Sequence, residues 1–352
     1  MVVVTNAHLV GSINQPDAES VMRIVAERLG ERAKRIPDGE VGERFYWIQF
    51  QTFRLDETPG LVRVGEELPY KIRGIFDPRL FALDGSLAAA DLRFPNLGYA
   101  DAAIESYARF AALREQGVIP AGVRFQVSIP TPVGVIGAFI IPDDRASIEP
   151  VYEKALFSEV ARIAAVIPHE DLAIQWDAAI EFGILDRVEY EGVPFSAGWE
   201  GDLLGGVVER ATRQIAAVPE GVQVGFHLCY GDVEEEHFVQ PKDTGTLASV
   251  IKGIVAVAPR TVSWFHLPVP IERDDVAYFA PLAGLNLPED TEIELGLIHH
   301  EDGVEGAERR IAAASTVLDR FGVGTECGFG RGPAERTGPL LDLHAAIVDS
   351  HR

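Results

Sequence analysis

The feature that most constrains the fold is a series of eight short segments rich in Val, Ile and Phe, which recur along the whole 352-residue chain. Each segment is followed by a turn or a polar cluster, and most are then followed by a stretch with helical periodicity. This order predicts repeated β-strand and α-helix units. We predict strands at Val2–Leu9, Ala33–Ile36, Val123–Ile129, Leu172–Trp176, Val222–Leu228, Thr261–Leu267, Glu292–Ile298 and Gly322–Cys327. Eight is the number of parallel strands in a (β/α)8 barrel.

The stretches between these strands carry the amphipathic patterns of outer helices. We predict helices at Ala18–Arg32, Ala102–Gln116, Ile148–Ile167, Leu203–Val218, Thr246–Ala258 and Gly306–Phe321. The segment Gln51–Asp101 is rich in Pro, Gly and charged residues and has no sustained period. We therefore expect an inserted loop or lid there, after the second strand.

No linker or change in composition divides the chain, which favours one catalytic domain over residues 1–352. The predicted fold class is α/β, as a single (β/α)8 TIM barrel. An open, doubly wound sheet is the structural alternative. It is less favoured because no G-x-G-x-x-G follows the first strand, and Gly11-Ser12 is too short to cradle a pyrophosphate.

Charge and hydropathy limit the partners of the chain. It has 31 basic and 54 acidic residues, for a formal net charge of -23, which repels nucleic acid and anionic membrane surfaces. No apolar run reaches the roughly 18 to 20 residues of a membrane span, and the start of the chain lacks the features of a signal peptide. We expect a cytoplasmic protein that binds neither nucleic acid nor membranes. The oligomeric state stays open.

The only two cysteines, Cys229 and Cys327, are too few for a disulfide scaffold and should be free thiols. In a barrel, the carboxyl ends of the strands converge on one face, where such enzymes build their sites. Metal ligands and proton carriers cluster at the predicted strand ends, namely His8, Asp38, Glu40, Ser128, Asp177, His227, Cys229, His266, His299, His300, Glu326 and Cys327.

His227 and Cys229 stand two positions apart, so their side chains point to the same side of a strand. Cys327 would come from the last strand and reach the same point across the mouth of the barrel. Two thiolates and one imidazole are ligands that zinc prefers, and the softness of sulfur disfavours magnesium and calcium. We predict a zinc site with a position open for substrate. The alternative is a buried histidine beside two packing cysteines.

Six ordered motifs resemble the cobalamin-independent methionine synthases and their shorter barrel relatives. The sequence His227-Leu228-Cys229-Tyr230-Gly231 is similar to the H-x-C-Y-G that supplies two zinc ligands there, and Glu326-Cys327-Gly328-Phe329-Gly330-Arg331 is similar to the late D-C-G-L-x-x-R that supplies the third. The other matches are Gly11-Ser12, the Asp38-Gly39-Glu40 region with Glu43-Arg44, Ile174-Gln175-Trp176-Asp177 and Ile298-His299.

The resemblance implies roles for further residues. Glu40 and Asp177 would hold the amino group of an amino-acid thiol, and Asp177 would also serve the catalytic step with His299, which would protonate the leaving group. Ser12 and Ser128 are also expected to contact substrate. Each position has a structural alternative. Glu40 would otherwise be a solvated turn residue, Asp177 a helix cap and His299 an ordinary loop histidine.

His266 stands where methionine synthases have a glutamate as the fourth zinc ligand. An imidazole is an equally good ligand for zinc. We expect His266 to be the fourth ligand, and the alternative is a residue that hydrogen-bonds to a ligand from behind.

The resemblance implies a zinc-dependent methyltransferase or alkyltransferase, which transfers a methyl group to the zinc-bound thiolate of homocysteine or a related small thiol. Candidate donors include a folate or corrinoid carrier. The chain departs from the pattern at Ala178-Ala179, where the family has E-P, and it lacks the N-terminal half of the folate-using synthases. The alternatives are a carbon-sulfur bond-forming or bond-breaking enzyme of the epoxyalkane-coenzyme M transferase type and a non-catalytic zinc or thiol-binding barrel.

Overall fold

Eight parallel strands form the central sheet of the computed structural model, which describes residues 2–190, 192–232 and 237–351. In chain order the strands are β1 (Val3–Ala7), β2 (Arg35–Pro37), β3 (Arg124–Pro130), β4 (Leu172–Ala178), β5 (Gln223–Leu228), β6 (Trp264–Pro268), β7 (Glu292–Gly296) and β8 (Arg320–Val323). Each overlaps one of the predicted strands, so the positions of the strands are confirmed.

The strands follow the chain around the sheet in the order β1-β8-β7-β6-β5-β4-β3-β2. β1 and β2 therefore form its two edges. Two isolated parallel bridges, Ala7↔Ala33 and Ser12↔Gly39, join the segments to which these edge strands belong. The sheet thus curls until its edges approach each other. The fold is mixed α/β with a curled, eight-stranded parallel sheet, which is consistent with a TIM-barrel-like architecture.

The register of the sheet brings polar residues together in the interior. Asp177 of β4 lies opposite His227 of β5, and His227 lies opposite His266 of β6. Because partners in parallel strands point to the same face, all three side chains enter the interior. Gly225 makes room in this packing, since a Cβ atom there would lie 2.1 Å from the ring of Trp264.

Helices cover the outer face of the sheet and connect successive strands. The α-helices of eight or more residues are Ala18–Leu29, Tyr99–Glu115, Pro132–Phe139, Pro142–Val166, Leu203–Ala217, Gly245–Val257, Gly303–Ala314 and Thr337–His351. Shorter helices lie at Gln51–Asp56, Ile180–Leu185 and Val276–Phe279. Each of the predicted outer helices overlaps one of the long helices, which confirms the alternation of strands and helices.

Local sequence sets the ends of the first helix, Ala18–Leu29. The side chain of Asp17 accepts a hydrogen bond from the backbone N–H of Ser20 at 2.8 Å, which caps the amino end. Gly30 follows the last helical residue with a φ of 53°. A residue without a Cβ atom adopts this conformation at low cost, so the glycine ends the helix and turns the chain towards β2.

The segment 51–101 contains regular structure of its own. It includes the helix Gln51–Asp56 and an antiparallel pair of strands, Leu61–Arg63 and Phe81–Leu83. Between those strands, Ile72 and Arg73 contribute to the wall of a cavity that also borders the candidate site. The proposal that this segment acts as a lid stays a prediction.

Two features of the carboxyl-terminal part differ from the sequence-based expectations. The strand β8 ends at Val323, so Cys327 lies in the following loop rather than on the strand. The helix Thr337–His351, which packs on Ala18–Leu29 and β1, was not predicted. Among the described residues, no helix combines the length and the apolar composition needed to cross a lipid bilayer.

Candidate metal centre and substrate cavity

Three candidate ligands meet at the carboxyl ends of the strands. His227 lies near the end of β5, Cys229 follows directly after β5, and Cys327 comes from the loop after β8. One ligand atom from each residue lies within 4.8 Å of the other two. The Cys327 Sγ atom is 3.6 Å from His227 Nε2. The structure therefore brings together the three residues that the sequence analysis assigned to zinc.

The chemistry of these three residues fits a soft divalent cation. His227 and Cys229 are 2% and 3% exposed, so little water competes for their ligand atoms. The contact with Cys229, together with burial, raises the pKa of the Cys327 thiol well above its ordinary value. A cation between the sulfur atoms would be needed to hold both as thiolates at neutral pH. Two sulfurs and one imidazole nitrogen are a donor set for zinc.

His266, the expected fourth ligand, uses both of its ring nitrogens in contacts with the protein. Its Nδ1 atom lies 2.8 Å from His227 Nδ1, and its Nε2 atom lies 3.0 Å from the carbonyl oxygen of Thr325. Both ring nitrogens are therefore used in hydrogen bonds. Direct ligation by His266 would break one of these hydrogen bonds, so the arrangement favours the alternative, in which His266 contacts the candidate ligand His227 from behind.

A cavity of about 250 Å³, which we call cavity A, borders the three candidate ligands. Three acidic residues, Glu40, Asp177 and Asp232, line the same cavity, as does Ser12. Arg73 and Arg331 also lie in its wall, and Arg331 is paired with Asp232. The remaining wall is largely apolar and includes Trp47, Ile180, Phe195 and Phe238. Cavity A therefore joins a sulfur-rich end, an acidic end and an apolar wall.

Glu40 is held in place by a short, tightly bonded turn after β2. Its backbone N–H donates to Asp38 Oδ1 at 3.1 Å, and Arg44 Nη2 donates to Asp38 Oδ2 at 2.6 Å. The φ of Glu40 is 51°, a conformation that residues with a side chain rarely adopt. The structure thus fixes Glu40 in a strained conformation at the cavity rather than leaving it as a solvated turn residue.

Burial perturbs the carboxyl groups of Glu40 and Asp177 in cavity A. It raises the pKa of Glu40 to about 7, although Arg44 and Arg331 oppose this change. Burial, and then the charge of Glu40, raises the pKa of Asp177 well above its ordinary value. Asp177 Oδ1 accepts a hydrogen bond from Gln175 Nε2 at 2.9 Å. Two neighbouring buried carboxyl groups with raised pKa values form a site that a positively charged ligand would stabilise.

The two predicted substrate-binding serines lie at different depths. Ser12 borders cavity A, and its hydroxyl oxygen accepts a hydrogen bond from the backbone N–H of Gly330 at 3.3 Å. Ser128 does not line the cavity, and its hydroxyl donates to the carbonyl oxygen of Val10 at 2.9 Å. Ser128 therefore supports the wall, and a direct contact with substrate stays a prediction for it.

His299 lies at a second cavity, cavity B, of about 370 Å³. Its Nε2–H donates to the carbonyl oxygen of Val269 at 2.8 Å, and its Nδ1 atom is 3.8 Å from Glu326 Oε2. Burial, followed by the charge of Arg310, lowers the pKa of His299 to about 4. The neutral ring therefore presents a lone pair, not a proton, at Nδ1. Cys327 borders both cavities.

The sequence analysis assigned no role to two groups near Cys327. Arg331 forms an ion pair with Asp232 and places Nη2 4.0 Å from Cys327 Sγ. His237 Nδ1 lies 3.8 Å from Glu326 Oε1, on the other side of the carboxyl group from His299. Arg331 belongs to the motif around Cys327, so its place near the Cys327 thiol could have been predicted from the sequence. His237 carries no comparable motif.

The fold resembles that of several solved structures. One is a B12-independent methionine synthase from Shewanella sp. W3-18-1, with a TM-score of 0.59 and 14% identity, and the match covers 99% of this chain and 98% of that chain. Another is a putative vitamin-B12 independent methionine synthase from Listeria monocytogenes, with a TM-score of 0.55, 15% identity, and coverage of 99% and 98%. The chain has the fold of the B12-independent methionine synthases.

A methyltransferase from Methanosarcina mazei also matches, with a TM-score of 0.50, 11% identity, and coverage of 98% of this chain and 94% of that chain. No protein-family model and no curated protein matches the sequence. The resemblance to methionine synthases that the motifs indicated is thus confirmed for the fold. At such low identity, these matches show the fold of the chain and not its chemistry.

Proposed function

We propose that the protein is a zinc-dependent thiol alkyltransferase that transfers a methyl group to homocysteine or a related small aminothiol. The observation that carries this proposal is the composition of cavity A. Its walls contain the candidate ligands His227, Cys229 and Cys327 together with the carboxyl groups of Glu40 and Asp177. A thiol amino acid has a soft sulfur atom at one end and an ammonium group at the other, which matches this cavity.

His227, Cys229 and Cys327 would hold the zinc ion, which supplies, when bound, the positive charge that favours the thiolate form of a thiol. Glu40 and Asp177 would orient the substrate by binding its ammonium group. Because the pair is buried, water competes weakly for this ammonium group, and the attraction between opposite charges is strong. The carboxyl groups therefore act by positioning the sulfur atom of the substrate for attack.

The acidic pair also separates two classes of thiol. An aminothiol brings a positive charge to Glu40 and Asp177, whereas a sulfonate thiol such as coenzyme M brings a negative charge into the same cavity. A negative charge in this buried site would favour the protonated, neutral forms of both carboxyl groups, so the sulfonate would form no ion pair with them. Arg73 and Arg331 also line cavity A, but Arg331 is already paired with Asp232. The acidic pair therefore favours an aminothiol acceptor over the coenzyme M transferase alternative.

The methyl or alkyl donor is proposed to bind near Cys327, which borders both cavities. His299 is our candidate for contact with the leaving group. Its Nε2–H is already donated to Val269, so it can act as an acid only after Nδ1 has taken up a proton. A folate or corrinoid carrier stays a candidate donor. We further propose that the curled sheet closes as a (β/α)8 barrel and that segment 51–101 shields the site from water.

The fold neighbours support an amino-acid ligand. The Shewanella methionine synthase is described in complex with selenomethionine, an amino acid with an ammonium group and a methylated selenium atom. A site that binds such a molecule needs an acidic group and space around a soft atom. Glu40, Asp177 and the sulfur-rich end of cavity A offer these features in this chain.

Metal analysis of purified protein tests the first half of the proposal. We expect close to one zinc ion per chain, and sharply lower occupancy in Cys229→Ser and in Cys327→Ser, because each variant loses a thiolate ligand. The variant His169→Gln, which changes a half-buried histidine whose ring contacts the backbone of Glu220, should retain its zinc and serves as the control. Full zinc retention in both cysteine variants would end the metal assignment.

A panel of thiols tests the second half. Homocysteine and cysteine should bind more tightly than coenzyme M and than thiols without a charged group, and turnover with methyl donors should follow the same order. If zinc and aminothiols bind but no donor on a panel of methylated folates, corrinoids and sulfonium compounds is turned over, a non-catalytic thiol-binding barrel is favoured.

A further inference from the structure

We propose that His266 is a positioning residue that selects the ring nitrogen with which His227 binds its metal ion. The inference rests on the proposed metal site. It gives His266 a role other than ligation, through a directed series of hydrogen bonds from the backbone of Thr325 to His227.

Thr325 determines which atoms donate and which accept in this series of hydrogen bonds. Its carbonyl oxygen lies 3.0 Å from His266 Nε2. A carbonyl oxygen only accepts hydrogen bonds, so the proton of this contact has to reside on His266 Nε2. In a neutral imidazole the other nitrogen then carries a lone pair. His266 Nδ1 is therefore an acceptor if the ring is neutral.

The surroundings of His266 favour the neutral ring. The side chain is fully buried, and its polar contacts are the carbonyl oxygen of Thr325 and a ring nitrogen of His227, neither of which carries a negative charge. The ring of His8 is stacked against it, with the ring centroids 5.1 Å apart, and His8 is itself held by a contact of 3.1 Å between its Nε2 atom and Gln175 Oε1. A charged imidazolium would thus face another buried ring rather than an anion. The neutral form is favoured.

The position of the proton on the His227 ring follows from the position of the proton on His266. His227 Nδ1 lies 2.8 Å from His266 Nδ1, and two ring nitrogens at this distance need one proton between them. Because His266 Nδ1 offers a lone pair, His227 Nδ1 donates. The remaining nitrogen, His227 Nε2, then carries a lone pair, and this is the atom that lies 3.6 Å from Cys327 Sγ. The hydrogen bonds therefore hold His227 in the tautomer whose Nε2 lone pair is available to a metal ion.

Thr325 also connects this series to the loop that carries a second ligand. Its hydroxyl donates to the carbonyl oxygen of Cys327 at 2.6 Å. Thr325 therefore determines which nitrogen of His266 carries the proton, and it also holds the backbone of Cys327 in place. Loss of the acceptor at His266 would leave a buried N–H of His227 without a partner, or would allow the ring to change its tautomer. Either outcome disfavours metal binding.

Nitrogen-15 NMR of the wild-type protein tests the inference directly. Without metal, long-range couplings should show a proton on Nδ1 of His227 and on Nε2 of His266. With 113Cd bound in place of zinc, coupling should appear to Nε2 of His227 and to neither nitrogen of His266. A cadmium coupling to His266 or to Nδ1 of His227 would overturn the inference while leaving a metal site in place. No metal binding at all would instead overturn the proposed function.

Two substitutions extend the test. His266→Leu removes the acceptor, and we expect the dissociation constant for zinc to rise about 10- to 100-fold, the usual range for residues that support a ligand. His266→Gln retains a carbonyl acceptor and an amide donor, so we expect affinity within about threefold of wild type. The control His344→Gln changes another buried histidine, whose Nδ1 contacts only the backbone of Leu340, and should leave zinc affinity unchanged. Equal loss in both His266 variants would contradict the role assigned here.

Discussion

Two groups of buried carboxyl side chains lie in the interior, and they differ in what surrounds them. In the first, Arg35 Nη2 lies 2.9 Å from both Glu292 and Glu294, and Asn6 Nδ2 donates to Glu294 Oε1 at 3.1 Å. The guanidinium group also lies 4.1 Å from the ring centroid of Trp264. Protein donors therefore surround Glu294, although burial still raises its pKa to about 7.

The second group, Glu40 and Asp177, lacks a cation of its own. Arg44 and Arg331 oppose the rise in the pKa of Glu40, but Arg44 is bonded to Asp38 and Arg331 to Asp232. Among the described residues, no side chain hydrogen-bonds to the Glu40 carboxyl group. The comparison shows that burial alone does not distinguish a structural acid from a binding acid. What distinguishes them is whether the protein itself supplies the partner.

The largest effect is expected in the first group. Arg35→Met removes a buried cation and leaves Glu294 without its charged partner, which should lower the free energy of unfolding by about 3–5 kcal/mol. Chemical denaturation measures this change. The matched control is Lys34→Met, which removes the more exposed partner of Glu292 and should cost less than about 1 kcal/mol. Similar losses in both variants would show that Arg35 does not stabilise the interior in this way.

The next effect concerns the second group. Asp177→Asn should weaken binding of an aminothiol about 10- to 100-fold, the loss expected when one charged hydrogen bond to a ligand disappears. It should not lower the free energy of unfolding, because the wild-type carboxyl group is already destabilised by burial. Calorimetric titration of the zinc-loaded protein measures the affinity. A thiol of equal length without an ammonium group is the control ligand, and its affinity should be unchanged.

Periodicity allowed the positions of the strands to be predicted, because a buried parallel strand needs a continuous apolar run that the sequence displays. The candidate ligands were also visible, since His227 and Cys229 form a local pattern and the chain has a single further cysteine. The helix Thr337–His351 was missed because Gly338-Pro339 is typical of a turn. Proline is tolerated in the first turn of a helix, where its missing N–H is not needed.

The partners of the histidines could not be predicted from sequence. The role of His266 depends on the carbonyl oxygen of Thr325, and that of His299 on the carbonyl oxygen of Val269. Every residue carries a backbone carbonyl group, so no residue pattern indicates which one a distant ring will contact. These contacts arise from the curvature of the sheet and the path of its loops. They decide which nitrogen carries a proton, and therefore what each histidine can do.

A pH series sharpens the comparison further. Affinity for an ammonium ligand should rise with pH up to about 7, because the pKa of Glu40 is raised to about 7 and its ionised form attracts the ligand. The expected change is at most about tenfold per pH unit below that value. Methionine is the suitable ligand, because it has no thiol whose own ionisation would contribute. A flat profile between pH 5 and 8 would show that ionisation of Glu40 does not control binding.

The smallest effect is expected for the stability of Glu40→Gln. The raised pKa of Glu40 means that the folded protein holds a proton that the unfolded chain releases near its ordinary value of 4.5. The favourable contribution of the protonated group is thus fully present below about 4.5 and is lost as pH rises through about 7. Glutamine cannot ionise, so the variant should be more stable than wild type at pH 8, by about 1 kcal/mol, and similar to it at pH 4. The gain is small because Arg44 and Arg331 lose an attracting charge in the variant. Glu43→Gln, on the exposed side of the same turn, should show no such pH dependence, and an equal response in the two variants would mean that burial of Glu40 is not its cause.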